Sequence, residues 1–532
     1  MNQAIQWKGM RLVRQKRNLL LSTLPDTKGL FDELRFVRSQ LAKTIQSSPT
    51  SKGWKERKDR LTVREEAAGK KLAQKIMDLG IELPDYSKQK LSLPKGSCVV
   101  DYRDFTSMTP NDAKPGRFST EQHFLALIRK SDRSVEMVDL GSAAKIESAI
   151  ARWRGPIENA NKNKRAIDPT EQVAMDKAGL ELRQLIWEPI EEYVANSELV
   201  IVSPDGALGR LPLIALPGKK PDSYLIEEKK IVYLPVPLLL PQMLKQRAQH
   251  LEASSNPLLV GDIRYGNKAQ AESDRLVYRN SRILQNLQFG ELKNSSKEID
   301  GINQLFENSS LLTKENATET SFQEKLKDHS IVHIATHGFF QSPDRFMKHL
   351  PQDDKESFVA YEEQAKVLTE NPNMLSGLAF ANANAASSKT VDDAGEDGIL
   401  YSAEIAMMPM EHVELAVLSA CETSLGTDDN PGEGLIGIQR AFQVAGAKST
   451  IASYWKVSDS ATQMLMNKFY QNLIEYGQKA KTDGQDPNST TVRIDALRDA
   501  QLWMLRGLGE KEIAQLNLRG LDDDKKTYRI SK

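Results

Sequence analysis

The sequence predicts an α/β protein: two strand-and-helix units preceded by a helical arm. Three observations carry that prediction. Short apolar runs bounded by turn residues recur through most of the chain, segments with helical apolar spacing separate them, and residues 1–92 show the helical period alone. At 532 residues, 39% of them hydrophobic, the chain is long enough for more than one core.

In the arm, Leu30, Phe31, Leu34, Val37 and Leu41 recur at helical spacing between many charged residues, and Pro25 and the stretch from Ser47 to Ser51 break it into hairpin-like pieces. Its basic cluster, Lys8, Arg11, Arg14, Lys16 and Arg17, reads as a solvated helix face. Residues 93–255 form the first α/β unit. Its strands are expected at Cys98–Tyr102, His123–Ile128, Val135–Leu140 and Leu199–Val202, with helices at Ala143–Trp153 and Thr170–Ala195. Residues 256–532 form the second unit, with strands at Pro257–Asp262, Ile331–His337, Leu415–Cys421 and Ser449–Trp455 and a C-terminal helix. A helix containing Leu435, Ile438 and Phe442, closed by Gly446, joins the last two strands as a βαβ crossover. Two polar insertions, Ser342–Thr369 and Asn382–Asp397, are too long and charged for core and read as mobile loops.

Composition narrows the function. Formal net charge is zero, so no overall field draws the chain to nucleic acid or an anionic membrane, and no direct nucleic-acid partner is expected. No apolar run reaches the roughly 18 residues a bilayer span requires, and Met1–Leu21 lacks a signal peptide's apolar core; a cytoplasmic protein without a membrane partner is expected. The two cysteines, Cys98 and Cys421, exclude a disulfide framework and a cysteine-rich zinc site.

His337 and Cys421 each end an apolar strand. In an open parallel sheet the carboxyl ends of neighbouring strands share a crevice, so these side chains can meet there despite their separation in sequence. A thiol needs a base to become a nucleophile, and His337 can take its proton and later protonate a leaving amine. The amides of Gly338 and Cys421 are the natural oxyanion donors, with glycine leaving room for a substrate backbone. Taken singly, Cys421 reads as well as a small buried residue at a strand end.

Other patterns compete. His333 and His337 lie on one strand face as an H-x-x-x-H pair, but further ligands are missing from the sequence nearby; His333 reads as a core histidine, and no metal or cofactor is expected. Gly432-x-Gly434-x-x-Gly437 matches a dinucleotide fingerprint in letters only, because a polar stretch separates it from the preceding strand. These glycines read instead as allowing close helix packing. Asp459 serves equally as a pocket carboxylate for a basic substrate side chain and as N-cap of a helix over Ser460–Tyr476.

Several of these motifs together resemble one family. They are His333–Gly338, Asn373–Leu378, Asp397–Leu400, Ser419–Gly426, Gly432–Gly434 and Ala441–Ala447, with Ser203–Gly206 and Leu208–Pro212 in the first unit. Their order and content are similar to the CHAT domain, a caspase-like peptidase module related to separase and often found behind tetratricopeptide repeats. The resemblance spans about Leu93 to Leu505. It implies a caspase-like fold of parallel-sheet units, with a pseudo-caspase half lacking its own dyad before a catalytic half. It also implies a His337/Cys421 dyad with an oxyanion hole from Gly338 and Cys421. Asp459 falls where separase-like relatives place the carboxylate that selects a basic P1 residue, while Lys456 departs from their acidic pattern. The implied function is a regulated cysteine endopeptidase acting on a protein substrate. An activating or sensor protein would be received by the helical arm, in which no thirty-four-residue repeat is evident. The competing reading is a catalytically silent scaffold for protein–protein signalling.

Overall fold

The computed structural model describes residues 24–47, 49–50, 53–80, 92–110, 116–163, 165–235, 237–241, 243, 256–266, 289–340, 355–370, 375–385, 397–422, 433–454, 459–487 and 489–508. These residues group into two compact units, neither continuous in sequence. Residues within 85–249 and from Lys468 onward make one, and residues within 11–84 and 250–467 the other. The helices of the arm therefore cluster with the second sheet.

In the first unit, β1 (Ser97–Pro110), β2 (Phe118–Lys130), β3 (Val135–Ser142), β4 (Leu199–Ser203) and β5 (Lys230–Tyr233) form a sheet in the order β3-β2-β1-β4-β5. Only the β1–β4 and β4–β5 pairs are parallel; β1–β2 and β2–β3 are antiparallel. The sheet is mixed, which corrects the expectation of a parallel unit. The cause is local: the short turn after Lys130, with Arg133 at φ +73° and the Asp132 carboxylate accepting from Ser134 N–H at 2.8 Å, is a hairpin connection. A parallel crossover needs a dozen or more residues. Helices α3 (Ala143–Lys162), α4 (Pro169–Leu182) and α5 (Glu188–Val194) follow; Ile146 and Ile190 of these helices and Trp187 of the π-helical turn between α4 and α5 enter the core, which also holds Val100 and Val200 of the strands.

The second unit carries β6 (Pro257–Ile263), β7 (Ser310–Lys314), β8 (Ile331–Phe340), β9 (Ser376–Ala379), β10 (Ile399–Tyr401), β11 (Leu415–Glu422) and β12 (Thr450–Ala452). β7, β6, β8, β11 and β12 are parallel neighbours in that order. β8 is buried on both faces, with Val332, Ile334 and Ala335 at its centre, which suits the continuous apolar run of a parallel strand. Its two sides differ. β11 pairs along Ile331–Gly338, whereas on the other side β6 pairs up to Ile334 and antiparallel β9 begins at Gly338. Thr336 and His337 thus lie between two strand ends on that side. The crossover helix (Glu433–Ala445) links β11 to β12 and ends at Gly446, whose φ of +114° suits glycine.

The arm forms two helices, α1 (Pro25–Gln46) and α2 (Trp54–Asp78). Their apolar faces do not stay in solvent. Val37, Leu41, Ala42, Ile45 and Leu61 form one buried cluster with Leu368 and Leu375; Phe31, Leu34, Ala68 and Leu72 form another with Met407. Leu368 belongs to a helix over Lys355–Glu370, so the first insertion is not simply a loop. Among its described side chains Glu362 and Lys366 are exposed and Glu363 pairs with Lys58 of α2, while Tyr361, Gln364, Ala365 and Leu368 are buried. The Gln364 amide donates to the carbonyls of Ile45 and, at 2.9 Å, Ser47. Composition misled because charge on one helix face hides an apolar stripe on the other. Residues 341–354 and 386–396 of the insertions lie outside the described residues. Among the described residues, no helix is long and apolar enough to cross a membrane.

Candidate active site

The parallel register of β8 and β11 pairs His337 with Cys421 and Gly338 with Glu422, at the carboxyl end of the ladder. β8 runs on through Phe339 and Phe340 to pair with β9, so His337 stands near, not at, the end of its strand. The two candidate residues are nonetheless direct neighbours at the edge where parallel strands open into a crevice.

The imidazole of His337 is only 9% exposed and sits against two aromatic rings, with centroids 5.2 Å away for Tyr265 and 5.6 Å for Phe289. Its Nε2 lies 2.7 Å from the Gly290 carbonyl oxygen. A carbonyl can only accept, so Nε2 carries the proton and Nδ1 is the ring's proton acceptor. Tyr265 is positioned in turn by its hydroxyl, 3.0 Å from Thr336 Oγ1, which donates to the Ala379 carbonyl at 2.5 Å. Thr336 and Tyr265 are both buried, which makes these bonds part of the rigid frame of the histidine.

A Cβ built on Gly338 would meet Ala420 Cβ at 3.6 Å and Ile438 Cδ1 at 3.8 Å, ordinary contact distances. Packing alone does not demand glycine there. His333 is fully buried, with Nε2 3.0 Å from Glu298 Oε1, in agreement with its reading as a core histidine. Among the described residues no group of three or more His, Cys, Asp or Glu side chains is arranged to hold a metal ion.

The register places His337 beside Cys421 on the neighbouring parallel strand. The CHAT domain profile matches residues 176–527, well over half of the chain. The chain belongs to the CHAT family. No curated protein matches it.

The CHAT match begins within α4, later than the start near Leu93 expected for the resemblance, and includes the first unit's Ser203–Gly206 and Leu208–Pro212. The structure sets His337, Gly338 and Cys421 together at the ladder's edge, and makes Asp459 the first residue of the helix Asp459–Thr482. The side chains of Cys421 and Asp459 lie outside what is described. In this CHAT chain Gly437 belongs to the crossover helix, where its Cβ position would lie 3.0 Å from Ser376 Oγ, which supports the packing reading of that glycine. Sequence reasoning missed Tyr265 and Phe289. Tyr265 was within reach, since it follows β6, the strand adjoining β8. Phe289 follows a long polar stretch and carries no signal of its own.

Proposed function

We propose that this CHAT protein is a cysteine endopeptidase that cleaves a protein substrate through an acyl-enzyme at Cys421. The observation that supports it most is the pairing of His337 with Cys421 in register on adjacent parallel strands. His337 Nδ1 takes the thiol proton; the thiolate sulfur bonds to the scissile carbonyl carbon, while the amides of Gly338 and Cys421 stabilise its oxygen. The C–N bond then breaks as the imidazolium returns its proton to the leaving amine. Water, deprotonated by His337, displaces the thiolate and completes hydrolysis.

Asp459 selects a basic P1 side chain in this reading, and the first unit is a pseudo-caspase half without a dyad. The helical arm receives an activating or sensor protein.

The test is mass spectrometry after treatment with a peptidyl electrophile carrying Arg or Lys at P1. Labelling at Cys421 that is lost in His337→Ala supports the dyad and the basic pocket. Cys421→Ala removes the label and should abolish cleavage with little change in folding, since one sulfur at a strand end is lost. If neither basic nor other P1 probes label Cys421, with or without bound partner, the chain is a scaffold.

A further inference from the structure

Asn384 belongs to the second insertion, yet it is bonded to the two segments that enclose His337. Its Oδ1 accepts from Phe289 N–H at 2.9 Å, and its Nδ2 donates to the Phe289 carbonyl at 3.0 Å and to the Gly266 carbonyl at 3.3 Å. Its backbone N–H donates to the Tyr265 carbonyl at 2.8 Å. The amide orientation is chemically determined, because only nitrogen can donate to carbonyls and only oxygen can accept from an N–H.

The turn carrying Asn384 is itself fixed. Asn382, at φ +66°, donates from its backbone to Arg264 O at 3.1 Å, and Ala381 donates to Ala317 O at 2.8 Å. Gly398, at φ +77°, passes so close that a Cβ on it would lie 2.5 Å from Ala383 N. The reciprocal pair with Asn384 holds Phe289 as a strand partner would. The next carbonyl, Gly290, is the acceptor for His337 Nε2.

We propose that Asn384 is a positioning residue for His337: by clamping Phe289 beside Tyr265, its carboxamide holds the Gly290 carbonyl where it fixes the imidazole tautomer that accepts the thiol proton. The inference rests on the Cys/His reading. In a Ser–His–Asp triad the wrong histidine tautomer lowers turnover by about 10⁴.

The experiment measures the rate of iodoacetamide alkylation at Cys421 against pH, by mass spectrometry, in the full chain and in Asn384→Ala, Asn384→Ser and His337→Ala. Cys98, fully buried, is the fold control, since it reacts only on unfolding. Wild type should titrate below the ordinary cysteine value of about 8.5. Both Asn384 variants should shift the midpoint towards that value, slow alkylation at neutral pH about tenfold, and leave Cys98 unlabelled. Profiles of folded Asn384 variants that superimpose on wild type, while His337→Ala is shifted, overturn the role of Asn384 alone. A His337→Ala profile identical to wild type overturns the dyad reading and this inference with it. Asn384→Ser keeps the test valid if Asn384→Ala exposes Cys98.

Discussion

His337 and Cys421 stand opposite one another in the parallel register of β8 and β11, one residue before the ladder ends at Gly338 and Glu422. Residues paired in register occupy the same face of a pleated sheet. Eight consecutive pairs, from Ile331 with Leu415 onward, set that alignment. A slip of one residue would place the two on opposite faces, so their encounter depends on this register.

Gly338→Ala separates packing from chemistry. The contacts awaiting a methyl group are ordinary ones, Ala420, Ile438 and Leu378 at 3.6 to 3.8 Å. Thermal unfolding should therefore change little, by about 1 kcal/mol or less. Cleavage should fall about tenfold or more if glycine's backbone freedom is what places the Gly338 amide toward the oxyanion. Loss of stability with unchanged cleavage would show that glycine serves the fold.

Asp459→Asn tests the pocket assignment. As first residue of its helix, Asp459 contributes a charge–dipole interaction of about 0.3–1 kcal/mol at most. If the carboxylate receives a basic P1 side chain, peptide-library cleavage should lose its Arg/Lys preference while the melting temperature moves only slightly. A lower melting temperature with unchanged specificity would assign it to the helix end.

Leu368→Ala probes the docking of the arm. Leu368 is 1% exposed in the cluster with Val37, Leu41 and Ile45. Truncation should cost about 2–5 kcal/mol in urea unfolding and speed proteolysis within α1 and α2. An unaffected arm would mean that the first insertion does not hold it.

Glu404 makes stability pH-dependent. Its carboxyl is pushed up to about 7 from 4.5 by burial and then by the charge of Asp397, against the opposing effects of the Ser39 hydroxyl, Lys43 and the Tyr401 N–H. The folded state therefore binds this proton more tightly than the unfolded chain. The resulting stabilisation is complete below pH 4.5 and is lost as pH rises through about 7. Because Ser39 Oγ donates to Glu404 Oε1 at 2.6 Å, the loss falls where α1 meets β10 and the short helix after it. Glu404→Gln should flatten this dependence, so that the difference from wild type changes by on the order of 1–3 kcal/mol between pH 5 and 8. Parallel stability curves for the two proteins would remove Glu404 as the cause.

The sequence alone was enough for the elements nearest the chemistry. The runs Ile331–His337 and Leu415–Cys421 are continuous and apolar because both strands are covered on both faces, and that pattern is local. Gly446 likewise marks the end of the crossover helix by a backbone requirement that no other residue meets as cheaply. The partners of these elements depend on contacts between distant segments. Leu368 meets Val37, Asn384 meets Phe289 and Glu298 meets His333 through packing across the fold, and none of these pairs has a sequence spacing that announces it. Local periodicity determined where the reactive residues lie along their strands. Only the tertiary structure decided which carbonyl receives the proton of His337, because a hydrogen bond depends on position in space and not on distance along the chain.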